Sequence, residues 1–543
     1  MSRLIRVVLL SLSISICVSA GAQAGTIVAD SGFRPGTNGF SFDNYDNSNG
    51  YKNLDAAEMQ RIYGRAACLS GRGATCVLNP PMREWMDVLN DLMGGGHCYG
   101  FSALSQLIYM NQLPRFGYGS IDAFGGGPQT FDLGVDGNTR LQRSIARAFA
   151  FQLLPAVNDK GIQGTPNRIL DFLVKHLGDG SHESWNLMIF QWGFEAGHAI
   201  TPYAVEDMGG GIFNIHVYDN NWPDDATRRV VVDTNKNTWR YYASINPGQP
   251  QAVYVGNAKS KTLFLRPNTP ALGVQPCPYC VGRQGLDSKY NQISLSSSAD
   301  QHAHLLITDQ RGRQTGFRAG KLVNRIPGAR VLPQASAGIS FADDGSIENI
   351  ADSPEPVYLV PRGMKLKIRI DGRQMTIRDR ESLSVVGPTF DSTVENVRMG
   401  PGKVAFATLS PKDETLSVTG AKGVSSPRVT FGAKAGKSAY RIQVNALRAP
   451  SRSTFFFAKK PRLQLLRIAS KTNARQAWRV RISEFGPRGN ERGYVRGYRL
   501  RRGQVAFLYY GPLASGRRAY VVIASADGDK VRLLKLKKVK AEG

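Results

Sequence analysis

The amino-acid sequence predicts an α+β domain in its N-terminal half, followed by all-β, sandwich-like modules. Apolar residues recur with helical spacing up to about residue 177, and strand-like runs replace them from His198 onwards. After about residue 270 helical patterns nearly disappear, and short apolar runs alternate with Gly, Pro and Asp. Helices followed by an antiparallel sheet are typical of α+β domains, whereas evenly punctuated short strands are typical of β-sandwiches.

The helical part begins with two segments separated by a glycine-rich break. Trp85, Val88 and Leu92 recur with helical spacing, and three glycines follow at residues 94–96. A second apolar stripe starts just after Cys98, so we expect a helix to begin there. The predicted helices cover residues 82–93, a segment beginning at Cys98, and residues 140–156 and 166–177.

Together, the predicted helices and strands divide the mature chain into four segments. The predicted domains are residues 25–270 (α+β), 285–375 (β-sandwich-like), 376–440 (β-rich) and 441–543 (basic and β-rich). The strands are predicted at residues 199–205, 212–218, 229–233 and 238–242 in the first domain, and at residues 304–309, 356–360, 366–370, 404–408, 454–457, 478–482 and 505–509 beyond it.

The first 24 residues have the pattern of a secretory signal peptide. Arg3 and Arg6 precede a short apolar stretch at residues 7–18, and Ala-Gln-Ala at 22–24 gives a small-x-small cleavage site. Cys17 raises the alternative of a lipoprotein, but a large residue precedes it. No later stretch has 18 uninterrupted apolar residues, so we expect no transmembrane span. The sequence therefore predicts a secreted, periplasmic or otherwise extracytoplasmic protein.

The cysteines of the mature chain are odd in number. Cys68 and Cys76 lie close together, and Cys277 and Cys280 form a CxxC, so we expect two local disulfides in an oxidising compartment. Cys98 is then left over as a candidate reactive thiol. One CxxC supplies too few ligands for a zinc site. The sequence therefore predicts no metal and no cofactor.

Charge divides the chain into a slightly acidic and a strongly basic part. Residues 25–260 carry 18 Lys and Arg against 22 Asp and Glu, whereas residues 441–543 carry 25 against 5. A basic surface concentrates polyanions, which outside a bacterial cell include cell-wall polymers, lipopolysaccharide, phospholipid headgroups and DNA. The alternative is that the charge merely keeps the protein soluble. The sequence has no recognised nucleic-acid-binding motif, so we expect no sequence-specific binding of nucleic acid.

Cys98 stands where a nucleophile would be placed. The run Gly94-Gly-Gly-His-Cys-Tyr-Gly delivers it to the first turn of a helix, whose N-terminus stabilises a thiolate. A thiol nucleophile also needs a base within hydrogen-bond reach. His198 opens the first strand of the sheet, and the following hairpin returns with Asp219 and Asn220, either of which could orient the imidazole.

This order of Cys at a helix start, His at a strand start and Asp or Asn one hairpin later resembles the papain-like cysteine peptidase superfamily. That superfamily includes bacteriocin-processing peptidases and bacterial cell-wall endopeptidases, and the flanking motifs resemble an uncharacterised secreted bacterial group. Asn220-Asn221-Trp222 is similar to the Asn-Ser-Trp element of papain relatives, and Asp219 to the Asp of the bacteriocin-processing relatives. Over residues 80–243 the resemblance implies Cys98 as nucleophile, His198 as base and Asp219 or Asn220 as orienter, with Asp219 preferred.

The sequence departs from that family at the oxyanion position. Papain relatives have a Gln a few residues before the Cys, but the nearest polar residues here are Asn90 and Asp91. We expect the Cys98 backbone N–H and another donor to replace it, or a weak or inactive enzyme. His97 is predicted to support the site from behind the reacting groups or to be structural, His216 is predicted to be a surface or core residue, and Asp233 is a weaker alternative orienter.

These features predict an exported cysteine-nucleophile hydrolase or acyl transferase that acts on amide bonds of proteins or peptidoglycan peptides. A transglutaminase-like cross-linker is a variant of the same chemistry. The alternative is a non-catalytic protein that has a papain-like fold and binds an anionic cell-surface polymer through residues 441–543.

Overall fold

The computed structural model describes residues 25–540, and residues 1–24, which hold the predicted signal peptide and Cys17, lie outside the described part. Single residues and short segments inside this range are also not described: 195, 224, 244–252, 281–288, 298–300, 337–338, 342–346, 351–353, 389–390, 411–414, 420–427, 436, 449–453, 461–462, 472–474, 487–488 and 526–529.

Helices dominate the first part of the described chain. Asn79 caps the backbone N–H of Met82, and two prolines occupy the first helical positions, so the helix predicted from residue 82 begins at Pro80. The segment predicted as one helix over 140–156 is broken, because Pro155 restarts the chain as a separate short helix. The helices are α1 (Pro35–Asn38), α2 (Ala56–Tyr63), α3 (Pro80–Leu92), α4 (Cys98–Tyr109), α5 (Leu113–Phe116), α6 (Thr139–Phe149), α7 (Pro155–Lys160) and α8 (Pro166–His176).

An antiparallel sheet follows the helices and packs against them. Its order is β10-β9-β8-β7-β6-β5-β11-β4, and β1 also pairs with β6. The long strand β6 is buried along most of its length and starts beside helix α4. The strands are β1 (Thr26–Asp30), β2 (Cys68–Ser70), β3 (Val77–Leu78), β4 (Ile162–Gly164), β5 (Trp185–Phe190), β6 (Gly197–Asp207), β7 (Ile212–Tyr218), β8 (Arg229–Asp233), β9 (Thr238–Tyr242), β10 (Val253–Asn257) and β11 (Leu263–Pro267), with β2 and β3 forming a separate small pair.

Strands alone make up the larger elements of the second part. They are β12 (Tyr290–Ser296), β13 (His304–Asp309), β14 (Gln314–Arg318), β15 (Lys321–Asn324), β16 (Arg330–Leu332), β17 (Ile339–Phe341), β18 (Ile347–Ile350), β19 (Val357–Pro361), β20 (Leu366–Asp371), β21 (Asp379–Val386), β22 (Asp391–Met399), β23 (Val404–Leu409), β24 (Thr415–Thr419), β25 (Arg428–Ala435), β26 (Ser438–Arg448), β27 (Thr454–Lys460), β28 (Leu465–Lys471), β29 (Gln476–Gly486), β30 (Gly489–Leu500), β31 (Val505–Tyr509), β32 (Tyr520–Ala524), β33 (Val531–Lys535) and β34 (Lys537–Val539).

Two large antiparallel sheets contain nearly all of these strands. One has ten strands in the order β16-β19-β12-β21-β22-β25-β26-β29-β30-β34, and the other has eleven in the order β15-β14-β13-β20-β23-β24-β27-β28-β31-β32-β33. From β21 onwards, successive hairpins alternate between the two sheets. A single apolar cluster, which includes Ile293, Ile368, Phe457 and Trp478, fills the space between them. The predicted coarse fold, a helical N-terminal part followed by a β-rich part, is therefore confirmed.

The continuity of the two sheets bears on the predicted segment boundaries. The boundary at residue 375 falls between β20 and β21, and the boundary at residue 440 falls inside β26. Neither boundary separates one sheet from another, because strands on both sides belong to the same two sheets. Backbone pairing between distant strands, such as β22 with β25, holds the segments together.

The helical part and the sandwich share a core. Helix α3 packs against strands β12, β21, β22, β25 and β26. Leu332, Ala335, Val357 and Val386 of the sandwich belong to the same buried cluster as the helices around Cys98. In the described part of the chain, no helix combines the length and the apolar character that crossing a membrane would require.

The cysteines pair as the sequence predicts. The sulfur atoms of Cys68 and Cys76 are 2.06 Å apart, and those of Cys277 and Cys280 are 1.92 Å apart. Cys98 is the free cysteine of the described residues, and it is buried.

Candidate active site

Cys98 is the first residue of helix α4, directly after the glycine-rich loop. Gly96 has a φ of 138°, a conformation that favours glycine, and an added Cβ on Gly95 would lie 2.6 Å from the Ser336 carbonyl oxygen. Gly100 allows α4 to approach α6, because its Cβ would lie 2.2 Å from the carbonyl oxygen of Ile145. The backbone N–H groups of Gly100 and Phe101 donate to the His97 carbonyl oxygen at 2.7 and 3.2 Å, whereas those of Cys98 and Tyr99 precede the first hydrogen bonds of the helix.

His198 lies on β6 and meets Asp219, which follows directly after β7. Its Nε2 is 2.7 Å from Oδ1 of Asp219, and both side chains are completely buried. Because Nε2 is engaged by the carboxylate, Nδ1 is the nitrogen left for the thiol. No well-formed hydrogen bond to Nδ1 exists among the described residues, but the Cys98 side chain is near enough to contribute to the pKa of the ring. The structure therefore brings Cys98, His198 and Asp219 together from three separate elements.

Two further groups hold the Asp219 carboxylate in place. Its Oδ1 also accepts a hydrogen bond from the backbone N–H of Asn221 at 2.9 Å, and its Oδ2 accepts one from the hydroxyl of Tyr241. Both carboxylate oxygens are thus engaged, which fixes the orientation of the group behind the imidazole.

The electrostatics of the site favour a charged His198–Asp219 pair. Burial opposes charge on either group, yet the attraction and hydrogen bond between them outweigh it. The pKa of His198 is raised to about 10, with a smaller contribution from the Cys98 side chain, and the pKa of Asp219 is lowered to about 2. An imidazolium held beside a thiol stabilises the thiolate, which is the nucleophilic form.

Asn220, the alternative orienter, does not contact the imidazole. Its amide donates to the carbonyl oxygen of Cys98 at 3.2 Å and to that of Ala199 at 2.9 Å. Its amide nitrogen thus faces backbone carbonyl groups of α4 and β6, whereas the carboxylate of Asp219 faces the imidazole. Asn220 therefore ties the start of α4 to β6, and of the two candidate residues it is Asp219 that contacts His198.

Asn44 lies between α1 and α2, and its hydrogen bonds connect several loops of the site. Its Oδ1 accepts from the backbone N–H of His97 at 2.7 Å, its Nδ2 donates to Asn221 Oδ1 at 3.1 Å, and its backbone N–H donates to the Asn220 carbonyl at 2.7 Å. The sequence did not indicate this residue, because its partners lie more than fifty positions away along the chain.

His97 has both ring nitrogens in contact with residues of the segment before α2. Its ring nitrogens face the Tyr45 carbonyl at 2.7 Å and Asn53 Oδ1 at 2.8 Å. Burial lowers the pKa of His97 to about 4, so the ring is neutral near pH 7. It supports the glycine loop and does not face the reaction centre.

The other polar residues weighed from the sequence lie elsewhere. His216 pairs with Glu206 at 3.1 Å, and Asp233, the weaker alternative orienter, pairs with Lys236 at 3.1 Å. Neither reaches His198.

Neither polar residue before Cys98 is available to an oxyanion. Asn90 exchanges two hydrogen bonds with the backbone of Leu54, and Asp91 accepts one from Ser296. Tyr254 on β10 is a better candidate. Its hydroxyl is buried and has no hydrogen-bond partner among the described residues, and burial together with the nearby charges of Cys98 and Asp219 raises its pKa.

The thiol is closed off from solvent. Cys98 and His198 are both 0% exposed. The sandwich also approaches the glycine loop: the Ser336 carbonyl oxygen lies beside Gly95, and the backbone of the preceding Ala335 exchanges two hydrogen bonds with the side chain of Gln152 at 2.8 and 3.3 Å. A substrate must therefore displace side chains or a loop to reach the sulfur.

Comparisons of the chain with protein families, with characterised proteins and with solved structures found no match.

Proposed function

We propose that this protein is an exported, papain-like cysteine hydrolase or acyl transferase that acts on amide bonds of proteins or peptidoglycan peptides. The observation that carries the proposal is the contact between His198 Nε2 and Asp219, which leaves Nδ1 on the side of Cys98. A nucleophile, a base and an orienter in this order form the arrangement that activates a thiol.

The reaction uses these groups in two stages. The Cys98 thiolate attacks the amide carbonyl carbon, and the negative charge that develops on oxygen is stabilised by backbone N–H groups at the start of α4. The imidazolium of His198 gives its proton to the amine nitrogen, the C–N bond breaks, and an acyl-thioester remains. Water or an amine then attacks the thioester while His198 takes up a proton, and the thiolate leaves.

The roles of the neighbouring residues follow from their contacts. Asp219 fixes the orientation of the His198 ring and stabilises its positive charge. Asn220 fixes the start of α4 against β6 through its two hydrogen bonds. The hydroxyl of Tyr254 is our candidate for a second oxyanion donor, which would take the place of the absent glutamine.

The direct test is hydrolysis of two defined substrates, purified peptidoglycan sacculi and casein, by the mature chain. We expect released peptides or new amino termini with the wild type and none with Cys98→Ala. Asp233→Asn is the matched control, because it removes a surface carboxylate outside the site. Equal product from wild type and Cys98→Ala would refute the proposal.

A second candidate function is binding of an anionic cell-surface polymer, with or without catalysis. Its basis is the exposed basic side chains of the last two strands, β33 and β34, which end the eleven- and ten-stranded sheets. Charged residues on edge strands also prevent sheets from pairing with one another, which is a purely structural role. The exposed basic residues are Arg532, Lys535, Lys537 and Lys538.

The two roles of this basic edge are separated by a binding assay. If the edge binds polyanions, replacing all four residues with Gln should weaken retention on immobilised lipoteichoic acid or heparin and reduce its dependence on salt. Cys98→Ala should bind as the wild type does. Unchanged retention of the fourfold variant would leave only the structural role.

A further inference from the structure

A compact cluster of two histidines and one glutamate lies in the sandwich and shares no residue with the Cys98 site. One potential ligand atom from each of His302, His304 and Glu355 lies within 4.8 Å of the others. Nδ1 of His304 is 2.9 Å from Glu355 Oε2, and Nδ1 of His302 is 3.7 Å from the same oxygen.

The fold supplies these side chains from both sheets. His304 begins β13 of the eleven-stranded sheet, and His302 lies two residues before it, so both imidazoles are on the same side of the chain. Glu355 lies just before β19 of the ten-stranded sheet. A ligand shared by the three residues would connect the two layers of the sandwich.

The Glu355 carboxylate is oriented towards the histidines. Its Oε1 accepts hydrogen bonds from the backbone N–H of Leu305 at 2.8 Å and from the Tyr358 hydroxyl at 2.6 Å. Oε2 is thereby directed at the two imidazoles. Hydrogen bonds of this kind commonly fix metal-binding carboxylates.

Glu381 adds a second buried carboxyl group beside the cluster. Its Oε1 accepts from the backbone N–H of Ala303, between the two histidines, at 2.7 Å. Its Oε2 is buried and has no hydrogen-bond partner among the described residues. A carboxyl group buried with a single donor is costly in free energy when it is charged, and a cation bound beside Glu381 would reduce that cost.

We propose that His302, His304 and Glu355 bind a divalent transition-metal ion, with Zn²⁺ the preferred ion, and that this ion joins the two sheets of the sandwich. Two imidazole nitrogens and one carboxylate oxygen form a ligand set suited to zinc and leave one position for water or another ligand. Ligands about 2.0–2.2 Å from a tetrahedral ion lie about 3.3–3.6 Å apart, so ring rotations are needed to bring these atoms into place, and rotation of His302 breaks the 2.9 Å contact of its Nδ1 with the Ala303 carbonyl oxygen. Nitrogen ligands disfavour Ca²⁺.

The test is calorimetric titration of the EDTA-treated mature chain with Zn²⁺, Mn²⁺ and Ca²⁺. The Cys98→Ala chain is used as the background, so that zinc bound by the free thiol does not contribute. We expect one Zn²⁺ per chain at this site and a raised melting temperature in its presence. Ca²⁺ should give no comparable heat.

Variants then assign the bound zinc to the cluster. Glu355→Gln and His304→Ala should weaken zinc binding at least tenfold, and Tyr358→Phe, which removes only a hydrogen bond to Glu355, should weaken it about tenfold. His176→Ala is the matched control, because it removes a histidine that pairs with a carboxylate, Asp179, outside the cluster. Circular dichroism and thermal melting of each metal-free variant verify folding. If a ligand variant does not fold, the zinc affinity of Tyr358→Phe alone tests the assignment.

Two results would overturn the proposal. One is the absence of zinc binding, which would leave the cluster as a histidine–glutamate ion pair. The other is zinc binding that Tyr358→Phe and the folded ligand variants leave unchanged. Both results concern the sandwich alone and are independent of whether Cys98 is catalytic.

Discussion

Replacing Asp219 with Asn removes the charge behind His198 while keeping the shape of the site. An amide oxygen in place of Oδ1 still accepts from His198 Nε2 and from the backbone N–H of Asn221, and the amide nitrogen can donate to the Tyr241 hydroxyl. The variant therefore isolates one contribution, the stabilisation of the imidazolium by a negative charge.

The size of the effect follows from that contact. A hydrogen bond to a charged group contributes about 1.5–3 kcal/mol, and a loss of about 2 kcal/mol corresponds to a thirtyfold change in an equilibrium. Without Asp219, burial is the largest influence on His198 and lowers its pKa, so the ring no longer stabilises a thiolate at pH 7. We expect the rate of Cys98 alkylation at pH 7 to fall about thirtyfold in Asp219→Asn.

The assay is the second-order rate of iodoacetamide labelling, followed by intact mass. The thiol is equally buried in each variant that folds normally, so the ratio of rates reports on activation and not on access. Asp233→Asn, which alters the surface pair with Lys236, should label at the wild-type rate. If Asp219→Asn also labelled at the wild-type rate while melting normally, the charged pair would not activate Cys98, and the reasoning would be wrong.

Three further predictions concern stability and use urea unfolding. Asn220→Ala removes one hydrogen bond from each of two buried carbonyl groups, those of Cys98 and Ala199, and should lower the free energy of unfolding by about 2 kcal/mol; an unchanged value would show that Asn220 does not tie α4 to β6. Gly100→Ala places a Cβ against the backbone of Ile145 and should cost at least about 2 kcal/mol, whereas a neutral effect would mean that the two helices separate easily. Burial and the negative charge of the neighbouring Asp87 raise the pKa of Glu84 to about 7, so the folded protein is most stable when the Glu84 carboxyl group is protonated. The protonated carboxyl group contributes fully to stability below about pH 4.5, and this contribution, up to about 3 kcal/mol, is lost as the pH rises to 7. Glu84→Gln should therefore make the free energy of unfolding less dependent on pH between pH 4.5 and 7.

Local patterns predicted the parts of the fold that depend on nearby residues. The start of α4 at Cys98 follows from the glycines before it, and strands β7 and β8 coincide with the predicted runs. Sheet partners were not predictable in the same way. Strand β22 pairs with β25 and not with β23, because successive hairpins switch sheets, and short apolar runs carry no signal for that switch.

The candidate site shows the same limit. Cys98, His198 and Asp219 were predicted from an order of residues along the chain together with local turns. Asn44 and Tyr241 were missed, since each acts through a contact with a distant part of the sequence. Alternation along β9 could have shown that Tyr241 points inward, but not that it meets Asp219.

The expectation of no metal rested on spacing within single elements. Only the CxxC was considered, whereas the cluster in the sandwich combines His302 and His304, at the start of β13 in one sheet, with Glu355, just before β19 of the other. About fifty residues of sequence separate Glu355 from the two histidines. Only the packing of the two sheets brings them together, so the sequence pattern contains no short motif for this site.

Helix α3 gives the sandwich a role at the candidate active site that charge alone did not suggest. The helix leads through the glycine loop directly to Cys98, and its other face contacts the sandwich. Glu84 accepts hydrogen bonds from Ser384 and Thr393, and Asp87 pairs with Arg441 at 2.8 Å. The basic C-terminal part therefore meets the acidic N-terminal part inside the molecule as well as facing solvent. Since α3 contacts both parts of the molecule, the position of the thiol depends on the sandwich.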